Sequence, residues 1–168
     1  ISGFVVSAGA ACRTEPHTHA SACDQDASVW TVWVTNQAQG IDSVTVLRNH
    51  DEDEGVSGQV LATIPVGRAP HNIVFRPDGR YAYVANLSTP PDAGTVSVID
   101  TATYQVVATV QAGVKPHGLA VTPNGQYLWV ANEKSTAVSV INTSTNIVEP
   151  QTIPVAAGPL LVAFTPDG

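Results

Sequence analysis

Two histidines are placed as if for a shared task. His71 and His117 each follow a proline, in Ala69-Pro70-His71 and Lys115-Pro116-His117, and lie 46 positions apart. Brought together by a fold, paired imidazoles can ligate copper or haem iron, or act as acid and base near neutral pH. A second cluster, Cys12, His17, His19 and Cys23, has the spacing C-x4-H-x-H-x3-C. Two thiolates and two imidazoles are a zinc set by residue type, but this is not a standard finger spacing and no helix or hairpin signal frames it. The same cysteines alternatively form a disulfide, which would close a loop of ten intervening residues and contribute about 2–3 kcal/mol. The third reading is a pair of unlinked thiols in a surface loop. The acidic run 51–54, DEDE, weakly echoes a calcium loop but lacks the remaining ligands and the closing glutamate. It is expected to be the solvated tip of an insertion over residues 48–58. No nucleophile elbow, P-loop, dinucleotide fingerprint or CxxCH haem-attachment motif is present, so no catalytic residue and no cofactor is assigned.

The elements that would position these residues are constrained by composition. The 168 residues are 43% hydrophobic and only 12% charged, with 13 Gly and 12 Pro. Average soluble domains carry roughly 25% charged residues. A chain this apolar buries a core, and its density of turn residues disfavours long helices. The net charge of -7 disfavours attraction to nucleic-acid phosphates and to anionic lipid. No apolar run reaches the ~18 residues of a membrane-spanning helix. Residues 1–11 are apolar and small, like the end of a secretory signal without its basic region, and suit a strand equally well. Methionine is absent, which suggests a processed product, an excised piece or an incomplete reading.

The sequence repeats itself. Residues 66–86 read VGRAPHNIVFRPDGRYAYVAN and residues 112–132 read AGVKPHGLAVTPNGQYLWVAN, so Asn86 and Asn132 are spaced like the two histidines. A third copy starts at Gly158 with GPLLVAFTPDG, and Trp33 to Asn36 (WVTN) matches YVAN and WVAN upstream. Within one period of 43 to 50 residues there are four short runs rich in Val, Ile, Tyr, Trp and Thr, at 118–122, 127–132, 137–142 and 147–155. Pro77-Asp78-Gly79 and Pro123-Asn124-Gly125 supply the fixed φ and the positive φ of tight hairpin turns. The run VSVI, at 96–99 and 138–141, alternates large and small residues as a sheet packed on both faces requires. Four antiparallel strands every 40-odd residues predict the blade of a β-propeller, an all-β fold.

Residues 95–132, TVSVIDTATYQVVATVQAGVKPHGLAVTPNGQYLWVAN, resemble the YVTN-type repeat of bacterial and archaeal seven-bladed propellers. The resemblance runs from about residue 30 to residue 168. It implies an exported propeller, periplasmic, extracellular or on the cell surface, whose relatives range from proteins without assigned chemistry to redox enzymes. The expected organisation is an N-terminal segment, 1–29, followed by blades at about 30–66, 70–112 and 116–155 and the inner strand of a further blade at 159–168. The first blade is expected to supply three strands, for twelve in all, too few for the four to eight blades of a closed ring. The remainder is expected from further sequence or from a second copy, for example head to tail in a six-bladed ring.

In a propeller the position of His71 and His117 lies near the mouth of the axial channel, so they are the candidate ligand-binding residues. The expected function is a binding or structural module that recognises an unknown ligand or protein at that face. The alternative is a redox enzyme holding haem or copper through channel-facing histidines, as in the haem domain of dissimilatory nitrite reductase and the propeller of nitrous-oxide reductase, or a propeller lactonase. Against metal, the third repeat carries Leu160 at the histidine position. Asn36, Asn86 and Asn132 are expected to bond turn backbone, and Trp33, Tyr83 and Trp129 to pack between blades.

Overall fold

The computed structural model describes residues 5–8, 30–38, 40–52, 55–88, 93–165 and 167. These residues form strands and turns with no helix, in three antiparallel sheets and no closed ring. Sheet 1 contains β1 (Val5–Ala8), β2 (Trp30–Ala38), β3 (Ile41–Glu52) and β4 (Gly55–Pro65) in that order. Sheet 2 contains β5 (Pro70–Phe75), β6 (Tyr81–Asn86), β7 (Gly94–Asp100) and β8 (Gln105–Gly113). Sheet 3 contains β9 (Pro116–Val121), β10 (Tyr127–Asn132) and β11 (Ala137–Asn142), with β12 (Ile147–Val148) and β13 (Ile153–Pro154) sharing its outer edge. Each sheet is thus one repeat.

Four details differ from the sequence expectation. Sheet 1 has four strands, because Val5–Ala8 pairs with β2 from Val5↔Val34 to Ala8↔Thr31. Residues 48–52 and 55–58 are strand rather than loop. β3 and β4 keep pairing through His50↔Ser57, Asp51↔Val56 and Glu52↔Gly55, so backbone hydrogen bonds extend the ladder as far as Glu52 and Gly55. The run 147–155 splits in two, with Pro150 in the gap, where a residue without an N–H cannot continue a ladder. Residues 159–165 form no strand, because no neighbouring strand in the structure pairs with them.

The sheets stack face to face, and alternation along the middle strands sets which side chain meets which neighbour. In β6, Ala82 and Val84 point to sheet 1, where they bury Trp33, Val44, Val46 and Ile64. Tyr83 and Ala85 point the other way and, with Val96 and Val98, enclose Leu119, Leu128, Val130 and Ile141 of sheet 3. The middle sheet is therefore buried on both faces, the arrangement that a low charge content permits.

One contact recurs at the boundaries. The aromatic residue of the second strand packs near the residue five positions after the proline of the next repeat. Trp33 meets Phe75 edge-on at 5.5 Å and Tyr104 at 5.8 Å, and Trp129 meets Phe164 at 5.4 Å. Tyr83 belongs to the cluster on which Val121 packs. Residues 159–165 thus lie against sheet 3 as β5 and β9 lie against the sheets before them, although they pair with no strand. Trp33 is 2% exposed, whereas Trp129 is half-buried and borders an open groove with Tyr127, Val140 and Pro150. Trp33→Ala is accordingly expected to cost about 3–5 kcal/mol and Trp129→Ala less than half as much, measured by urea unfolding. Equal losses would contradict the stacking described.

Candidate functional site

The chain passes from one sheet to the next at a single end of the stack, and that end holds the two histidines. Each crossing uses the same backbone: Ala69 and Lys115, just before the prolines, both have positive φ, 54° and 56°. Their carbonyls accept hydrogen bonds from Leu87 and Glu133, each at 3.0 Å. The residue before proline is kept out of the right-handed helical region, and here it turns the chain sharply into the next inner strand. The turned chain is then fixed to the preceding sheet. Thr35 donates its hydroxyl to the His71 carbonyl at 3.0 Å, and the Leu119 N–H donates to Asn72 Oδ1 at 3.1 Å.

The repeated geometry brings His71 and His117 together, with ring centroids 4.0 Å apart and planes inclined by 44°. His117 Nδ1 lies 3.1 Å from the Leu160 carbonyl oxygen. A carbonyl only accepts, so this contact places the proton on Nδ1 and leaves the neutral ring's lone pair on Nε2. Leu160, which interrupts the histidine pattern, thus contributes through its backbone.

Beside the pair, Lys115 Nζ lies 2.7 Å from both Glu133 carboxylate oxygens. The hydrogen bond from Lys115 holds the Glu133 carboxyl below its ordinary pKa, and its positive charge acts in the same direction. Burial, and then the like charge of His117, hold the His71 imidazole below its ordinary value. Glu133 opposes that shift and Lys115 reinforces it. The repeat pattern singled out the histidines but missed Lys115 and Glu133. The available signal was departure from the repeat, since sheet 2 has Ala69 and Leu87 at those two places.

The asparagines sit at the same end. Asn86 is fully buried and donates from Nδ2 to Thr95 Oγ1 and Ser97 Oγ, each at 3.0 Å; Asn36 reaches Ser43 and Thr45, and Asn132 reaches Ser139. These amides bond hydroxyls of the adjacent strand rather than turn backbone, because the strand pairing places those hydroxyls within reach. The crossing chain passes directly over Asn86 and Asn132. A side chain at Gly113, which has φ of 132°, would meet Asn132 Oδ1 at 2.5 Å.

Cys12, His17, His19 and Cys23 lie outside the described residues, as do Asp53 and Glu54. Among the described residues no three or more His, Cys, Asp and Glu converge as a metal-ligand set. Two imidazoles supply half of a four-donor copper site, so the described residues do not complete one.

A histidine whose folded pKa lies below its unfolded value of about 6.5 binds fewer protons when folded. Its contribution to stability is therefore present above pH 6.5 and is lost as pH falls through the lower folded value. In an imidazole NMR titration His71 is expected to titrate below pH 6.5 and to move upward in His117→Ala, where the like charge is gone. A midpoint at or above 6.5 would contradict this electrostatic account.

No protein-family model and no curated protein matches the chain. Solved structures do. Hydrazine synthase of Kuenenia stuttgartiensis is similar with a TM-score of 0.69 and 28% identity, over 82% of this chain and 36% of that one. A periplasmic gluconolactonase of Pseudomonas aeruginosa is similar with a TM-score of 0.65 and 22% identity, over 88% of this chain and 47% of that one. A dihydro-haem d1 dehydrogenase follows the same fold with a TM-score of 0.58 and 15% identity, over 77% of this chain and 26% of that one. The chain therefore spans less than half the length of these proteins. They are β-propellers, and the three stacked sheets described above are three consecutive blades of that fold.

Proposed function

We propose that the chain is part of an exported propeller that works as a recognition module, with its ligand held at the blade-crossing end by His71 and His117. The single observation that carries this reading is the contact of the two imidazoles at the heads of adjacent inner strands, 4.0 Å apart. Imidazole nitrogens hydrogen-bond polar groups of a ligand, and the neighbouring Lys115 and Glu133 add one charge of each sign. A propeller supports such a site with rigid sheets while leaving its connections free to vary. Export follows from the resemblance of residues 95–132 to the YVTN-type repeat. Further blades are supplied by the rest of a longer polypeptide, a reading supported by the greater length of the similar propellers, or by a second copy.

The redox reading draws on the same imidazoles, and haem or copper would have to find its remaining ligands elsewhere. A fragment library screened by amide NMR against the intact protein separates these readings. Hits are expected to shift His71, His117, Lys115 and Glu133, and to be lost in the His71→Ala/His117→Ala variant with its strand resonances retained. Hits that ignore these residues would refute the recognition site. Tight binding of Cu(II) or haem, with a new visible absorption band, would favour the redox enzyme.

A further inference from the structure

The opposite end of the stack has a second crevice, between blades 2 and 3. It has a volume of about 390 Å³ and is lined by Arg76, Arg80, Tyr81, Thr143, Ser144 and Asn146 among others.

 It lies at the far end of β5 from His71, where the β5–β6 turn faces the turn at residues 143–146.

Three departures from the repeat create it. Arg76 and Arg80 flank the Pro-Asp-Gly turn of blade 2, whereas the equivalent turn of blade 3 has Thr122 and Gln126. Asn146 occupies the place held in blade 2 by Tyr104, and both adopt a φ of 57°. At the boundary of blades 1 and 2, Tyr104 packs its ring against Trp33. At the next boundary the shorter asparagine leaves that space open. The turn itself needs neither arginine, since blade 3 makes the same turn without them.

The chemistry of the crevice is cationic and rich in hydrogen-bonding groups. The two guanidinium carbons lie 6.0 Å and 5.3 Å from the centroid of the Tyr81 ring, so two positive charges share one aromatic side chain. Asp78 meets Arg76 at 3.5 Å but is half exposed, and such a surface pair is weak. Asn146 Oδ1 is buried with no hydrogen-bond partner among the described residues, a cost that a ligand hydroxyl would offset. In a chain of net charge -7, two of seven basic residues converge here. We infer that this crevice binds a small anion that also carries hydroxyl groups, of the class of sugar acids and sugar phosphates. The guanidinium groups hold the anion, and Asn146 accepts from a hydroxyl.

The test titrates the intact protein with glucuronate and with glucose 6-phosphate by calorimetry, with glucose as the uncharged control. At least one acidic sugar is expected to bind saturably, more tightly than glucose and more weakly as salt is raised. Arg76→Thr/Arg80→Gln, which installs the residues of blade 3, is expected to weaken binding at least tenfold. Asn146→Tyr, which installs the residue of blade 2, is expected to fill the crevice and abolish it. Both variants use residues that the fold already carries at equivalent positions, and thermal unfolding checks that they remain folded. No saturable binding of either acid, equal binding of glucose, or unchanged affinity in the arginine variant would overturn the inference.

Discussion

Everything in this structure depends on the fact that a blade cannot cover its own faces. A four-stranded sheet with apolar residues on both sides must be sandwiched, and the repeat meets that need by sending each new inner strand across the sheet before it. Blade 2 shows the result: Ala82 and Val84 bury Trp33 and its neighbours on one side, while Tyr83 and Ala85 enclose Leu119 and Leu128 on the other. Because larger side chains such as Val84, Leu119 and Leu128 are each worth on the order of 1.5–3 kcal/mol when fully buried, the stack rather than the single sheet is the stable unit.

The same constraint creates the candidate site. Crossing from blade to blade requires a sharp turn, which Ala69 and Lys115 make at positive φ, and a close passage over the buried asparagines, which only glycine permits at Gly113. The first residues of the inner strands are then forced together at one end. A histidine placed there in two successive repeats necessarily meets its counterpart, and the lowered pKa of His71 follows from the burial and like charge that the crossing imposes. At the other end each turn joins two strands of one blade, and the residue it carries there, Tyr104 in blade 2 and Asn146 in blade 3, sets how the space between blades is filled.

Much of this was legible in the sequence because the repeat is periodic. The Pro-His and Pro-Asx-Gly signals located the inner strands and their turns, and the recurrence of Trp33, Tyr83 and Trp129 pointed to packing between blades. Features belonging to no repeat were harder to read. Val5–Ala8 joins sheet 1 across a long connection, which local pattern does not reveal. The acidic residues Asp51 and Glu52 read as loop because charged residues are poor strand formers, yet their backbone pairs with Val56 and Gly55. Lys115 and Glu133 are 18 positions apart and become partners only when the β9–β10 pairing sets Pro116 opposite Asn132.

The account rests on successive inner strands lying against the preceding blade, and NMR cross-relaxation in solution tests that arrangement directly. It predicts nuclear Overhauser contacts between the His71 and His117 ring protons, and between the Trp33 indole and the Phe75 ring. Well-dispersed strand resonances with neither contact present would contradict it, because sheets could then form without stacking as blades.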